Sequence, residues 1–341
     1  MPIPDLIVVQ AGSEASTDTW GSSQAPTVKL MGITDFKFTP IVETQVFDDK
    51  RGSRAPGFDE VVTQVAGQAS LEAMLLYEDA PYYLDALFGI YTADVQTSDN
   101  DSDYYDRLWK APLATYDSDT SGTPRYMTFV QGDLEKGVTS SDTFGMAGGT
   151  LQTLSISGGT GAPLMLSATY LGVQVVPDAL ADLADRESTP VMGDHVALYI
   201  DPSSDAPTTL TSDMGFAFKL DINTNRALKR HFGSLPPTGY RDAKWQGTLA
   251  LTLELQAESW PYLRAALAAT PAPVKKTIRI KASSGSYLFQ FDFTGVLTGA
   301  PVPFTDSDGV TTVELSLSGL YDSTNANWLD FAVTNKTATM A

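Results

Sequence analysis

Asp99, Asp101 and Asp103 form the most suggestive chemical spacing in the chain. Alternate carboxylates in a loop are how EF-hand calcium sites present their first ligands. The rest of that pattern is missing. The sixth position, which needs glycine for a sharp turn, is Tyr104, and the twelfth, where a bidentate Glu belongs, is Lys110. An exposed acidic loop is the expectation. The two histidines, His195 and His231, each lack a recognisable partner motif, and His231, following the basic stretch Arg226–Arg230, reads as a surface residue. No G-x-S-x-G elbow, H-E-x-x-H helix or P-loop occurs. The glycine-rich stretches 145–149 and 158–161 lack the lysine and serine of a phosphate cradle and read as turns or β-bulges. Without cysteine there are no disulfides, thiolate metal sites or thiol nucleophiles. No catalytic, cofactor-binding or metal residue emerges, no cofactor is expected, and the chain reads as a non-enzyme.

The elements that would have to position any site are β-strands. Apolar residues make up 43% of 341 residues and charged residues 18%, enough to build packed cores and too few charges for a disordered chain. Gly, Thr, Ser, Val and aromatic residues alternate in short runs, as in an all-β protein. No apolar run approaches the roughly 20 residues that span a bilayer. The first residues, MPIPDLIVVQAG, do not resemble a signal peptide, so a soluble cytoplasmic product is expected. By the same token, the sequon Asn335-Lys336-Thr337 carries little weight. Net charge is −19, with 9 basic and 24 acidic side chains in residues 1–180 against 13 and 17 in 181–341. A nucleic-acid binder needs a basic footprint, so tight DNA binding is not expected.

An internal repeat organises the rest. Residues 67–88 and 247–268 share eight identities in 22 positions, among them Gly67/Gly247, Leu71/Leu251, Glu78/Glu258, Pro81/Pro261 and Tyr82/Tyr262. Upstream, Ser22–Thr27 matches Ser203–Thr208, and Phe36-x-Phe38 matches Phe216-x-Phe218 at an offset of 180. Downstream, Thr160-Gly161-Ala162-Pro163 matches Thr298-Gly299-Ala300-Pro301 before last strands at 164–172 and 313–321. Two tandem β-sandwich or barrel domains follow from this, each with a short flanking helix. The first covers 1–176 with an acidic insertion at about 93–124, a linker occupies 177–190, and the second covers 191–341 with a C-terminal tail. Each copy predicts a long strand pair, 30–48 with 60–77 and 214–230 with 243–256. Helices at 79–88 and 259–268 follow, N-capped by Asp79 and Ser259 with Pro81 and Pro261 in the first turn. The linker reads as a short helical turn ending in a polar stretch. Trp328, Leu329, Phe331 and Val333 in the tail form an apolar cluster that docks on its own domain or a neighbour. In strand 243–256 the leucines suit a core, while Thr252, Glu254 and Gln256 face the other way. Basic clusters at Arg226, Lys229 and Arg230 and at Lys275, Lys276, Arg279 and Lys281 face either solvent or the acidic surface of an adjacent subunit.

The strand pair running into G-x-x-x-L, the D/S-x-P-Y helix and the T-G-A-P turn before a final strand near S-G-L-Y together resemble the tail tube proteins (major tail proteins) of long-tailed, non-contractile bacteriophages. The likeness covers roughly 20–175 and 195–322. It implies a structural virion protein, assembled in the host cytoplasm, whose inner strands join those of neighbouring domains around a ring. Rings stack into a hollow tube for genome ejection. Such rings commonly hold six domains, so a duplicated chain would form a trimer of pseudo-six-fold symmetry. The implied partners are further copies of the chain, tape-measure, terminator and tail-tip proteins, and double-stranded DNA passing an acidic lumen without tight binding. No membrane is involved. The insertion, present once per chain, would sit outside the tube or between rings. Alternatives are another virion component (baseplate, terminator or decoration protein) and a two-domain carbohydrate or cell-surface binding module using Tyr104, Tyr105 and Trp109 as an exposed platform.

Overall fold

The computed structural model describes residues 7–14, 20–47, 59–89, 95–96, 104–111, 126–133, 143–202, 215–257, 264, 275–298, 302–307, 309–323 and 328–337. The protein is mainly β, built on a large antiparallel sheet. The first half supplies β1 (Ile7–Glu14), β2 (Val28–Lys29), β3 (Ile33–Phe47), β4 (Asp59–Met74), helix α1 (Ala80–Phe88), β5 (Val95–Gln96), β6 (Tyr105–Lys110), β7 (Tyr126–Asp133), β8 (Phe144–Gly159), β9 (Met165–Gly172) and β10 (Val175–Pro177). The second supplies β11 (Val196–Pro202), β12 (Gly215–Asn223), β13 (Ala227–Lys229), β14 (Gly239–Arg241), β15 (Gln246–Glu254), β16 (Lys275–Ser284), β17 (Tyr287–Leu297), β18 (Val302–Ser307), β19 (Val310–Gly319) and β20 (Leu329–Asn335).

One pairing scheme occurs twice. In the first half β1 pairs β7, β7 pairs β8, β8 pairs β10 and β9, β3 pairs β4, and β4 pairs β9. In the second, β11 pairs β16, β16 pairs β17, β17 pairs β20 and β19, β12 pairs β15, and β15 pairs β19. Irregularities recur as well. The ladder slips between Ile33 and Asp35 in one half and between Gly215 and Ala217 in the other, opposite Ala73/Glu72 and Leu253/Thr252. Counted from these bulges, Phe36 stands where Phe218 stands, opposite Leu71 and Leu251 respectively. The match of Phe36-x-Phe38 with Phe216-x-Phe218 is therefore two residues out of step, because aromatic residues alternate with the pleat and a slip of two preserves the pattern. The T-G-A-P match is also inexact. Residues 160–163 form the turn between β8 and β9, whereas Thr298 is bonded along β19, to Ser316 O, and a turn residue before β19 comes later, at Gly309 with φ +80°.

Glycine makes the G-x-x-x-L motif useful. Gly67 faces Gly172 across the ladder, and a Cβ on Gly67 would come within 2.8 Å of Met146 Sδ. Gly247 and Gly319 are neighbours in the same way beneath Trp328, whose ring would lie 2.4 Å from a Cβ on Gly247. Bare backbone thus lets one large side chain lie flat on each half of the sheet. β8 also changes partners along its length, pairing β7 and β10 first and β9 and β12 later. The turn in direction falls at Gly148, whose φ of +69° suits glycine. The glycine-rich segment is thus a bulge inside one strand, at a corner between two sheets.

Helix α1 matches the expected 79–88 segment, with proline in its first turn, but it is buried on every side. Asp79 does not cap it. The carboxylate accepts from Met31 N at 2.9 Å and from the Arg186 guanidinium instead. Burial raises the Asp79 pKa, even with the arginine and the Met31 N–H pulling the other way. The second helix, 259–268, with Ser259 and Pro261, lies outside the described residues apart from helical Arg264. The linker is not helical. Residues 178–189 run without regular structure along the first half, held where the Gln10 side chain bonds Ala181 N and O and where Arg186 reaches Asp79 and Lys29 O. Val191 then threads between Leu75 and Leu164 with backbone bonds to both.

Candidate assembly surface

The expected acidic insertion loop is in part a buried strand. Asp99, Asp101 and Asp103 lie outside the described residues, but β6 pairs with β20 over six residues, from Tyr105↔Asn335 to Lys110↔Asp330. Trp109 is 2% exposed and donates from Nε1 to Asp85 Oδ1 of α1 at 2.8 Å. Tyr104 is buried against Tyr287, and Tyr105 is half-buried. No exposed aromatic platform exists at these three residues. A Trp109→Phe variant keeps the ring and removes the donor from a buried carboxylate, and should lose about 1–3 kcal/mol of stability in urea unfolding. An unchanged midpoint would show that this contact carries no stability.

The tail docks at home. Leu329, Phe331 and Val333 are buried on β20 between β17 and β6. Asn335 is fully buried, donating to Tyr77 O at 2.7 Å and accepting from Arg107 Nη1 at 3.0 Å, so its amide is no glycan acceptor in the folded chain. Three members of the basic clusters meet carboxylates within the chain. Lys275 meets Asp322 at 3.1 Å, Arg279 makes a two-pronged contact with Asp292 at 2.7 Å, and Arg226 meets Asp242 at 2.6 Å.

Neither histidine joins a catalytic constellation. His231 is exposed, its Nδ1 3.3 Å from Thr238 Oγ1, and His195 Nε2 stands 3.9 Å from an Asp194 carboxylate oxygen. Among the described residues no three His, Asp or Glu side chains converge as metal ligands. A recess of about 110 Å³ lies among Val196, Leu198, Phe218, Leu251 and Ile280, and no titratable side chain lines it. Burial pushes the Tyr77 hydroxyl up to about 12 and raises Tyr83 and Tyr170 as well, which suits packed phenols rather than acid–base groups. Among the described residues no helix is long and apolar enough to cross a membrane.

What the fold does build is a wall. Eight strands run in the order β3-β4-β9-β8-β12-β15-β19-β18, each antiparallel to the next. The two halves meet where β8 pairs β12 over seven residues, from Thr153↔Asn223 to Gly159↔Ala217. One face is dry. Phe36, Leu71, Leu166, Ile156, Leu220, Leu251 and Leu315 are buried on it. The other face is polar in every strand whose side chains are described, with Thr39, Ser70, Ser167, Ser155, Asn223, Thr248 and Ser316 alternating against that core. Thr252 and Glu254 lie on the polar face as expected, opposite Glu314 and Thr312, while Gln256 falls beyond the end of β15. The face carries six carboxylates, Asp35, Glu43, Glu72, Asp221, Glu254 and Glu314, against Lys37 and Lys219. A shallow groove of about 280 Å³ follows the β8·β12 seam, with Ser155, Ser167, Asp221 and Gln246 in its lining.

The wall has two open ends. Among the described residues β3 pairs only with β4, and β18 only with β19. An unpaired edge of this length is a template for another strand. Sequence reasoning missed the seam and the ends, because pairing between strands over a hundred residues apart has no local signal. The chain matches no protein-family model and no curated protein.

Proposed function

We propose that the chain is a structural virion protein that assembles with copies of itself into stacked rings, forming a hollow tail tube through which the genome leaves. The observation that carries this reading is the eight-stranded wall, dry on one face, polar and net acidic on the other, and open at both edges. Closing such a sheet on copies of itself removes its edges. A polar acidic lining would repel phosphates, so DNA would slide rather than stick. The doubled pairing scheme supports two tube domains per chain, and three chains then complete a pseudo-six-fold ring. Tape-measure, terminator and tail-tip proteins are the partners of such a tube, which would be built in the host cytoplasm and serve no catalytic role.

Another virion component, such as a baseplate or decoration protein, is the nearest alternative, since it would share much of this chemistry. The inward-turned Tyr104 and Trp109 disfavour the carbohydrate-binding alternative, which would need them exposed beside Tyr105. Sedimentation velocity over a concentration series separates the readings. The tube reading expects growth from monomer through trimer to larger particles, with no retention of duplex DNA at about 0.15 M salt. A chain that stays monomeric in the presence of purified tail tips, or that binds DNA tightly, would contradict it.

A further inference from the structure

We infer that the open edge of β3 in one copy pairs with the open edge of β18 in a second copy, in the register that β12 and β8 already adopt within one chain; this rests on the ring reading and specifies its junction.

β12 occupies in the second half the position that β3 occupies in the first, with the same bulge, and its outer edge is taken by β8. β8 pairs β9 just as the β17–β18 stretch pairs β19. Ser157 faces Met165, and Thr305 faces Thr312 at the corresponding place in β19. Each chain therefore makes the junction once internally and carries its two halves, unpaired with any described strand, at opposite ends of the wall; at β3 the Phe36 carbonyl accepts from Gln131 Nε2 at 3.3 Å, a side-chain bond that a joining strand would replace. Carrying the pairing Lys219↔Ser157 and Ala217↔Gly159 across puts Lys37 opposite Thr305 and Asp35 opposite Ser307 of the second copy. The two edges of one chain are seven strand spacings apart, about 30 Å along the sheet, so they cannot meet each other within one flat wall.

The two junctions differ at one residue. Thr224 N donates to Gln152 O across the internal seam, and the two-residue alternation puts Ile222 N–H on the same edge. Pro40 holds the place of Ile222. It stands opposite Gly67 in the ladder and has no N–H, so its nitrogen belongs on the open edge. The junction between chains is thus one donor short of the junction within the chain. That deficit makes β3 a poor template for indiscriminate strand addition and leaves ring closure dependent on correct register.

Cysteine cross-linking tests this cleanly because the chain has no native cysteine. Lys219 and Ser157 form a non-hydrogen-bonded pair, where Cα atoms lie about 4.5 Å apart, within disulfide range. A Lys37→Cys/Thr305→Cys chain, oxidised at a concentration where wild type assembles, should give covalent multimers on non-reducing gels. Lys219→Cys/Ser157→Cys should close within the monomer, and the displaced pair Thr39→Cys/Ser307→Cys should give at most a small fraction of either product. Rings that form by electron microscopy while the 37/305 pair stays unlinked and the 219/157 pair closes would overturn this junction and leave the ring reading standing. Failure to assemble under any condition, with the internal pair closing, would overturn both. Pro40→Ile restores the donor and should lower the concentration needed for assembly roughly fivefold, the equivalent of one backbone hydrogen bond. An unchanged or higher threshold would contradict the placement of Pro40 in the junction.

Discussion

Arg226→Ala is expected to cost about 3–5 kcal/mol of folding stability, the range seen when one partner of a buried ion pair is removed. Arg226 is fully buried and does more than neutralise Asp242. Its Nη1 donates to Ala86 O at 3.1 Å and Leu151 O at 3.0 Å, and its Nη2 to Leu87 O at 2.9 Å. Two of those acceptors are carbonyls in the last turn of α1, where a helix leaves C=O groups without internal partners. A cationic side chain there also opposes the negative end of the helix dipole. The guanidinium lies 5.5 Å from the Tyr240 and Trp245 ring centroids, which adds cation–π attraction. Alanine would strand a buried carboxylate and three carbonyls at once. Lysine would keep the charge but lose the planar fork, so Arg226→Lys should recover only part of the loss. The check is the urea midpoint of both variants. A loss under about 1 kcal/mol for alanine would mean that water or a local shift replaces the network.

Phe291→Ala should be comparably damaging, by about 3–5 kcal/mol, for an unrelated reason. Its ring is fully buried, with Phe218 and Phe331 centroids each 5.7 Å away and Phe289 at 6.5 Å. These rings come from β12, β17 and β20, so one side chain holds the inner wall against the outer sheet of the second half. Truncation leaves a cavity that three flanking aromatics on separate strands cannot collapse to fill. Phe291→Leu should cost markedly less. Equal losses for the two variants would show that the site tolerates no change of shape at all, and little loss for either would show that the cluster is loosely packed.

The mainly-β fold and most of its strands were legible because their signals are local. Leu249, Leu251 and Leu253 alternate with Thr248, Ala250 and Thr252, and the structure buries the leucines. Asp79-Ala80-Pro81 announced a helix start that exists, although the aspartate serves other donors. What was illegible depends on distance in the chain. Trp109 and Arg107 look like part of a polar loop until β20 arrives 220 residues later and turns them inward. The repeat was found by identity and read two residues out of step at Phe36, because only the paired bulges fix the equivalence. The polar face was visible strand by strand at Thr252 and Glu254, but its continuity from β3 to β19 comes from the β8·β12 seam, which no spacing in the sequence encodes.

Cryo-electron microscopy of the assembled protein, refined far enough to trace the strands, would decide between a tube and any other assembly. The expected result is a hollow tube with three chains per ring, lined by the face bearing Lys37, Glu72, Asp221 and Glu314, with β3 of each chain beside β18 of the next. A closed particle without a channel, or a tube with that polar face turned outward, would contradict it.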